Sequence, residues 1–333
     1  MIKFTFSEDF SNLNSKEYLD VYENQNLIHQ DYFHHPKFQY ACISVFSNYT
    51  KCYLLSVYIS DKLIGYLAFR TKMLTLRKIK YDFLVPAAFS VAEYNYPIID
   101  ERYISDFFTV LDDALTNYNV YFQHTPSFFK NRIIDSVKRS YVRNVIDNPI
   151  LINLEDDILK ASKKRDLKRR YKLISKEFDI ETQHLTNNVP ENILNKFFEL
   201  HIKRRSNSNF NSKEYQDVYR KLSNLNIDSI GSAIISFIKA DDDIIAMHYG
   251  FISKNRFLYQ IPAYNLDYKP KSPGSILLMK LLEYNVSNEM EIFDLGVGLE
   301  SYKYRFMNKV ETYFNITKFK NSFSNVIQRV NFK

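Results

Sequence analysis

Residues 235–252, ISFIKADDDIIAMHYGFI, decide the fold class of this chain. Two runs of apolar, β-branched and aromatic residues flank the acidic triplet 241–243, and this pattern predicts a β-hairpin. Residues 54–70, LLSVYISDKLIGYLAFR, show the same pattern around the polar residues 60–62. Because the two stretches resemble each other, the sequence indicates an internal duplication.

A helix and a strand follow each hairpin. In both halves apolar residues recur at helical spacing, and a short apolar strand comes next. Residues 256–264, RFLYQIPAY, predict a further strand before the second helix. The predicted helix faces are Ile104, Phe107, Phe108, Leu111 and Leu115 in the first half and Leu277, Leu278, Leu281 and Leu282 in the second, and the strands after them are residues 120–122 and 291–295. This duplicated order predicts two α/β domains with mixed sheets.

The predicted domain boundary lies near residue 150, where Asn148 and Pro149 interrupt the apolar pattern. We therefore expect domains at residues 1–150 and 151–333. Residues 156–176 combine spaced apolar side chains with many lysines and arginines. We predict one helix there, because its acidic start and basic end suit the helix dipole.

Composition limits the class of protein. Of the 333 residues, 45% are apolar, which is enough to fill two hydrophobic cores. The net charge of +7 favours polyanionic partners such as nucleic acid, anionic lipid, coenzyme A or nucleotide-sugars. We expect a soluble cytoplasmic protein, since no signal peptide and no apolar run of about 18 residues is evident. Cys42 and Cys52, in a stretch that we interpret as strand, lack partners at metal-ligand spacing, so we expect neither a metal site nor a disulfide framework.

Glycine points to a first candidate site. The chain has only six glycines, and Gly274 opens the second predicted helix directly after a strand. Free N–H groups at the positive end of a helix dipole can bind phosphate, and nearby lysines would add charge. The alternative is an ordinary turn with a serine as helix N-cap. The candidate anion-binding residues are Lys269, Lys271, Ser272, Pro273, Gly274, Ser275 and Ile276. The matching stretch of the first half, residues 92–104, contains no glycine, so only the second half is expected to bind an anion in this way.

A second candidate site follows the next strand, in residues 294–306, DLGVGLESYKYRF. Two glycines and then the side chains of one Glu, two Tyr, one Lys and one Arg come at the carboxyl end of a strand, which is where open α/β sheets place ligands. The alternative is a solvated loop with salt bridges. The two glycines are not a dinucleotide fingerprint, because the third glycine is missing.

These two motifs together resemble the GNAT superfamily and, within it, two-domain acyltransferases similar to the cellulose-biosynthesis protein CelD and to the FemAB peptidyltransferases. The matching residues are Tyr268, Ser272, Pro273, Gly274, Leu277, Leu278, Phe293, Asp294, Gly298, Glu300, Tyr302, Lys303, Tyr304 and Arg305. In the Gly-Asp-Glu-Pro-Tyr-Lys-like loop of that family, Leu299 stands here for the Asp and Ser301 for the Pro. The basic segment 156–176 and residues 197–205 also look like the family's second domain, so the resemblance covers about residues 150 to 310.

The resemblance implies two tandem GNAT-like domains with mixed, mostly antiparallel sheets flanked by helices. Residues 1–150 would be a degenerate domain with an acceptor-binding or structural role. Residues 151–333 would be the catalytic domain, which binds acyl-coenzyme A as co-substrate and uses no metal.

The family mechanism assigns roles to individual residues. The thioester would lie in the splay between strands 259–264 and 293–295, where a backbone N–H binds the developing oxyanion. An attacking amine needs a general base. The base candidates are Glu300, as first choice, then Asp294 and His248, of which the histidine could equally be a core residue. Tyr302 or Tyr304 would return a proton to the coenzyme A thiolate, or else pack in the core. The candidates for a second anionic group are Lys303, Arg305, Arg204 and Arg205.

The resemblance also implies a substrate class. Relatives acylate amino-sugars for surface polysaccharides, which predicts N-acylation of a nucleotide-linked amino-sugar for O-antigen or capsule and no stable nucleic-acid partner. Two alternatives remain open at this point. A FemAB-like transferase would use a charged tRNA bound at the basic helix, and a non-catalytic nucleic-acid binder would use the same helix together with surface aromatics.

Overall fold

The computed structural model describes residues 2–23, 31–76, 78–154, 156–228, 230–298 and 300–320. These described residues form two compact units, one of those up to residue 146 together with residues 312–320, and one of those between residues 147 and 311. Both divisions fall inside strands, Ser140–Ile152 and Lys309–Lys318. The predicted boundary near residue 150 lies close to the division after residue 146, although the residues from 312 belong to the first unit and Asn148 and Pro149 lie within a strand. Proline is tolerated there since its carbonyl alone is used, as the acceptor for the Leu295 N–H at 3.1 Å.

The first unit is a sheet with helices. Its strand order is β1-β2-β3-β4-β6-β14, with β5 paired to β3, and neighbours are antiparallel except β4 and β6, which are parallel at Leu84 and Val120. Its strands are β1 (Ile2–Ser7), β2 (Cys52–Ile59), β3 (Lys62–Leu76), β4 (Ile79–Pro86), β5 (Ile98–Ile99), β6 (Val120–Pro126), the start of β7 (Ser140–Ile152) and the end of β14 (Lys309–Lys318), and its helices are α1 (Lys16–Glu23), α2 (Pro36–Phe46), α3 (Ile104–Ala114) and α4 (Ser127–Ser136).

The second unit repeats this plan. Its strand order is β7-β13-β12-β11-β10-β8, with β9 paired to β10, and here β12 and β13 form the parallel pair. Besides the end of β7, its strands are β8 (Ile180–Thr186), β9 (Asn226–Ile227), β10 (Gly231–Ala240), β11 (Asp243–Ser253), β12 (Arg256–Tyr264) and β13 (Ile292–Asp294), and its helices are α5 (Asp157–Ser162), α6 (Arg165–Ile174), α7 (Glu191–Arg204), α8 (Lys213–Ser223) and α9 (Pro273–Ser287).

The predicted duplication and fold class are confirmed. The hairpins β2–β3 and β10–β11 turn at Ser60 and Asp61 and at Asp241, all with positive φ. Each hairpin is followed by a strand, a helix and a second strand parallel to the first. Two local predictions were wrong: the basic segment is two helices, α5 and α6, and Cys42 lies in helix α2.

The two units differ in the connection between the first strand of the parallel pair and the helix that follows it, which is α3 in the first unit and α9 in the second. In the first unit, residues 87–99 are almost entirely buried and contain no glycine. In the second unit the connection is a short 3₁₀ turn, Leu266–Lys271, that leads to Gly274 at the start of α9. Helix α9 buries Leu277, Leu281 and Leu282 completely and packs against α5 and α6. This packing brings α6 beside the amino end of α9.

Candidate functional site

The parallel strands of the second unit separate at one point. Strand β12 pairs with β13 only at Arg256, Phe257 and Leu258, because β13 ends at Asp294. The next six residues of β12, residues 259–264, continue past that end. One edge of this stretch therefore has no partner in β13, in the place where the family resemblance puts the thioester.

A cavity of about 310 Å³ lies beside residues 259–264 of β12. Strand β12 contributes Tyr259, Pro262 and Tyr264 to its wall, and the start of α9 contributes residues 272–275. The other lining residues are Asp166, Leu167, Arg170, Arg204, Lys269, Leu278, Tyr302, Arg305 and Phe306. The structure thus brings together most of the predicted anion-binding loop, two predicted substrate-binding arginines and one predicted proton donor. The volume lies within the range of small-molecule pockets.

The amino end of α9 has the geometry of an anion site. Ser272 lies in the left-handed region (φ 57°, ψ 50°), and its carbonyl accepts the N–H groups of Ser275 at 3.0 Å and Ile276 at 3.4 Å. Within the described part of the chain, the Gly274 N–H has no acceptor. Of the backbone amides of Gly274, Ser275 and Ile276, only that of Gly274 is therefore free to bind an anion. Ser272 is the N-cap residue of α9, as the alternative predicts, but its hydroxyl makes no cap bond and is bound by the Arg170 guanidinium instead.

Positive charge surrounds this helix start. Among the described residues, Arg170, Arg204 and Lys269 line the cavity without an ion pair to a carboxylate. Arg204 donates to the Pro262 carbonyl at 2.6 Å and lies 4.5 Å over the Tyr264 ring. Arg305 pairs with Asp166 at 2.8 Å, and that hydrogen bond lowers the pKa of Asp166 below its ordinary value. Four cations against one carboxylate favour an anionic ligand.

Three predicted binding residues are used inside the protein instead. Lys271 pairs with Glu177 and lies outside the cavity wall. Lys303 is buried, and its amino group donates to the carbonyls of Gly296 at 3.1 Å and Val297 at 2.8 Å. Ile276 is fully buried in the core, so its position serves helix packing. Lys303 therefore shapes the loop that carries Glu300, and we do not assign it to substrate.

The preferred base, Glu300, is not one of the residues that line the cavity, but its charge acts on Tyr302, which does line it. Its side chain is 48% exposed and its carboxylate is 3.0 Å from the Lys303 amino group. Burial raises the pKa of Glu300, but the hydrogen bond and charge of Lys303 outweigh it, so that pKa lies below its ordinary value. Gly298 has a φ of 134°, which L residues with a side chain rarely adopt, and a Cβ there would also lie 2.4 Å from the Glu300 carboxylate. Leu299 lies outside the described residues.

The side chains of the other two base candidates are buried inside the second unit. Asp294 is fully buried, pairs with Arg256 at 2.8 Å and accepts the Gly296 N–H at 2.9 Å. His248 is also fully buried, and burial lowers its pKa to about 3, so its ring is neutral at physiological pH. Neither side chain lines the cavity. Both therefore act within the protein framework.

Two tyrosines form the inner wall of the cavity. Burial raises the pKa of Tyr302 to about 12, and burial also raises the pKa of Tyr259 well above its ordinary value. Their hydroxyl groups interact with each other, and the Glu300 charge acts on both. Tyr302 thus keeps its proton at neutral pH and can donate it. Tyr304 instead contacts Asp147 at 3.4 Å.

Sequence reasoning missed Arg170. It lies 102 residues from Ser272, so no local motif connects the two. A signal does exist, because Leu167, Arg170 and Ile174 are spaced as one helix face and both apolar members are buried. A cation on the buried face of a helix marks a candidate ligand contact.

Two negative findings apply to the described residues. None of their histidine, cysteine and acidic side chains form a group of three or more that could hold a metal ion. None of the helices formed by these residues is long and apolar enough to cross a membrane.

Comparisons with known proteins agree with this geometry. Residues 161–304 match the family model of the acetyltransferase (GNAT) domain. The fold and this match define the class: an α/β protein in which residues 161–304 are similar to the acetyltransferase (GNAT) domain. No curated protein sequence matches the chain.

Solved structures share the fold over almost the whole chain. L-PGS from Bacillus licheniformis is 12% identical with a TM-score of 0.60, covering 96% of this chain and 95% of that one. FemX is 9% identical with a TM-score of 0.59, covering 94% and 98%. A tandem GNAT protein from the clavulanic acid biosynthesis pathway is 9% identical with a TM-score of 0.50, covering 96% and 99%. At these identities the likeness concerns the fold alone.

Proposed function

We propose that this protein is an N-acyltransferase that takes its acyl group from acyl-coenzyme A. One observation carries the proposal: a free amide, Gly274 N–H, and three cations without an ion pair, Arg170, Arg204 and Lys269, line one cavity at the amino end of α9, beside residues 259–264 of β12. A diphosphate fits the helix end and the cations. The extended arm of coenzyme A would then run along β12 and bring the thioester to the splay.

The proposed reaction is direct transfer. The neutral amine attacks the thioester carbonyl carbon, the C–S bond breaks, and the amine proton passes to Glu300, directly or through water. Tyr302 supplies a proton to the departing thiolate. A carboxylate with a lowered pKa is ionised at neutral pH and a tyrosine with a raised pKa is protonated, so both groups are in the required state.

The proposed acceptor is a nucleotide-linked amino-sugar. Its phosphates need cations that coenzyme A does not use. Arg305 is 57% exposed at the rim of the cavity, and an open groove next to it is lined by Lys164, Arg165 and Arg169. Excess positive charge at the mouth of a site raises the local concentration of an anionic substrate.

Titration calorimetry with coenzyme A tests the donor. The loop offers a matched pair of variants, because Lys269 lines the cavity whereas Lys271 is paired with Glu177. Lys269→Ala is expected to weaken coenzyme A binding about tenfold, as for the loss of one charge-assisted bond. Lys271→Ala is expected to leave it within twofold. Equal effects in the two variants, or no binding by wild type, would contradict the proposal.

A screen of acyl-coenzyme A thioesters against nucleotide-linked amino-sugars, read by thiol release, tests the acceptor. Turnover only with free amines that lack phosphate would remove the nucleotide from the proposal. If none of the amines tested supported turnover, the proposed acceptor class would be removed.

A FemAB-like transferase that uses aminoacyl-tRNA is the second candidate. Helix α6 favours it, since Arg165, Lys168, Arg169 and Lys172 lie within ten residues. The fold likeness to FemX is compatible with it. The same calorimetry decides: tight binding of charged tRNA together with no binding of coenzyme A would reverse the ranking.

A further inference from the structure

Strand β12 contains a bulge at the point where it leaves β13. Tyr249 of β11 pairs with Ile261, but Phe251 pairs with Leu258, so the single residue Gly250 faces both Tyr259 and Gln260. A bulge bends and twists its strand. The last β12–β13 pair is Leu258 with Asp294, so the bulge begins at the next residue, where the splay opens.

The imidazole of His248 fills this bulge. The Gln260 N–H donates to His248 Nε2 at 3.2 Å, so a side chain replaces a backbone carbonyl as its acceptor. The ring also stacks on Tyr259, with centroids 4.9 Å apart and planes at 6°. Tyr259 lines the cavity, so the histidine supports both the backbone and a wall of the site.

Gly250 provides the space for this arrangement. A Cβ at Gly250 would lie 2.3 Å from His248 Cε1 and 2.2 Å from the Leu258 carbonyl oxygen. Neither contact is tolerable, since one partner is backbone and the other is a ring fixed by stacking. Glycine here is therefore matched to the histidine ring.

The histidine carries an unpaired polar atom. Because Nε2 accepts the Gln260 N–H, the proton of the neutral ring is on Nδ1, and within the described part of the chain Nδ1 has no hydrogen-bond partner. A buried donor without an acceptor destabilises a fold, and a phenylalanine would avoid that loss. The polar ring is therefore best explained by the bond that Nε2 makes.

We infer that His248 is a positioning residue for acyl transfer. It holds the Gln260 amide and the Tyr259 ring, and so fixes the backbone of residues 259–264 of β12 alongside the thioester. This inference rests on the proposed function. Two residues of that stretch cannot donate a backbone N–H to the thioester, since the Gln260 amide is engaged and Pro262 has none. A shift of the bulge would displace every remaining donor.

Three variants test the inference. His248→Phe keeps a flat ring and removes the acceptor, and His248→Gln keeps an acceptor at the same reach. The control is His184→Phe, because His184 bonds Ser236 at 2.8 Å and lies outside the cavity wall. With acetyl-coenzyme A and a responsive amino-sugar from the screen, His248→Phe is expected to lower kcat about 10- to 100-fold, as for a misplaced reactant. The glutamine variant is expected to recover most of this loss and the control to lose none.

Further measurements separate positioning from other roles. The dissociation constant of coenzyme A should change less than threefold in His248→Phe, since the helix end is untouched. The pH profile of kcat in His248→Phe should keep its acid and alkaline limbs at the same pH values as in wild type, with a lower maximum. Loss of the acid limb would mean that His248 is a base, and equal loss of kcat in the phenylalanine and glutamine variants, or wild-type kcat in both, would also overturn the inference.

Hydrogen exchange of the Gln260 amide tests the bond without any substrate. It should be slow in wild type and His248→Gln and fast in His248→Phe. Unchanged exchange in His248→Phe overturns the inference. If wild type turned over no acyl-coenzyme A, the proposed function would fail while this measurement still reported on the histidine.

Discussion

Replacement of Gly274 by alanine separates ligand binding from folding. A Cβ at Gly274 would meet only one atom within 4 Å, Tyr264 Cδ1 at an ordinary contact distance of 3.6 Å. The backbone at Gly274 is helical, so alanine is not strained there. The added methyl group would nevertheless occupy the wall of the cavity next to the free N–H.

The expected loss of affinity follows from the bond at risk. A hydrogen bond from a backbone amide to a charged phosphate contributes about 1.5–3 kcal/mol. Since each 1.4 kcal/mol is a factor of ten, Gly274→Ala should weaken coenzyme A binding about 10- to 100-fold. Alanine has the higher helix propensity, so the unfolding temperature should stay level or rise.

Calorimetry with coenzyme A and thermal unfolding measure the two effects on the same sample. Ser287→Ala is the control, because it makes a change of similar size at the other end of α9, where the hydroxyl bonds the Glu283 carbonyl. Affinity within twofold of wild type in Gly274→Ala would refute the reasoning and return this glycine to a purely local role. A drop in unfolding temperature would refute the packing argument.

Three further variants test individual roles. Glu300→Gln should lower kcat at least about 100-fold with coenzyme A affinity retained, and unchanged turnover across the pH range would remove Glu300 as the base. Lys303 keeps the pKa of Glu300 low, so the acid limb of wild-type kcat/KM should lie below the ordinary glutamate value of 4.5, and a limb near pH 6 would contradict the assignment. Tyr302→Phe keeps the ring and should lower kcat about 100-fold, most strongly for thioesters with poor leaving groups. Arg170→Met keeps the apolar stem and should weaken coenzyme A binding about tenfold or more, and equal affinity would show that Arg170 serves only the Ser272 hydroxyl.

The amino-acid sequence by itself determined the repeated order of hairpin, strand, helix and strand in the two halves. The period-two and helical patterns of apolar residues identified both hairpins and the predicted helix after each of them, because these patterns report which face of an element is buried. Gly274 was identified as a candidate site residue because glycine is rare in this chain and because this glycine opens a helix directly after a strand, which the local sequence alone shows. Pro149 interrupts the apolar pattern close to the division between the two units, but the pattern did not show that this proline lies within a strand, where only its carbonyl is used.

Only the tertiary structure decided which polar side chains face a ligand. Arg170 reaches Ser272 across 102 residues, Lys303 turns inward to two carbonyls, and His248 binds an amide on the next strand. Local spacing determines the face of an element on which a side chain lies, whereas its partner depends on the element that packs there. For a charged or hydrogen-bonding group, that partner decides whether it holds the fold together or remains available for chemistry.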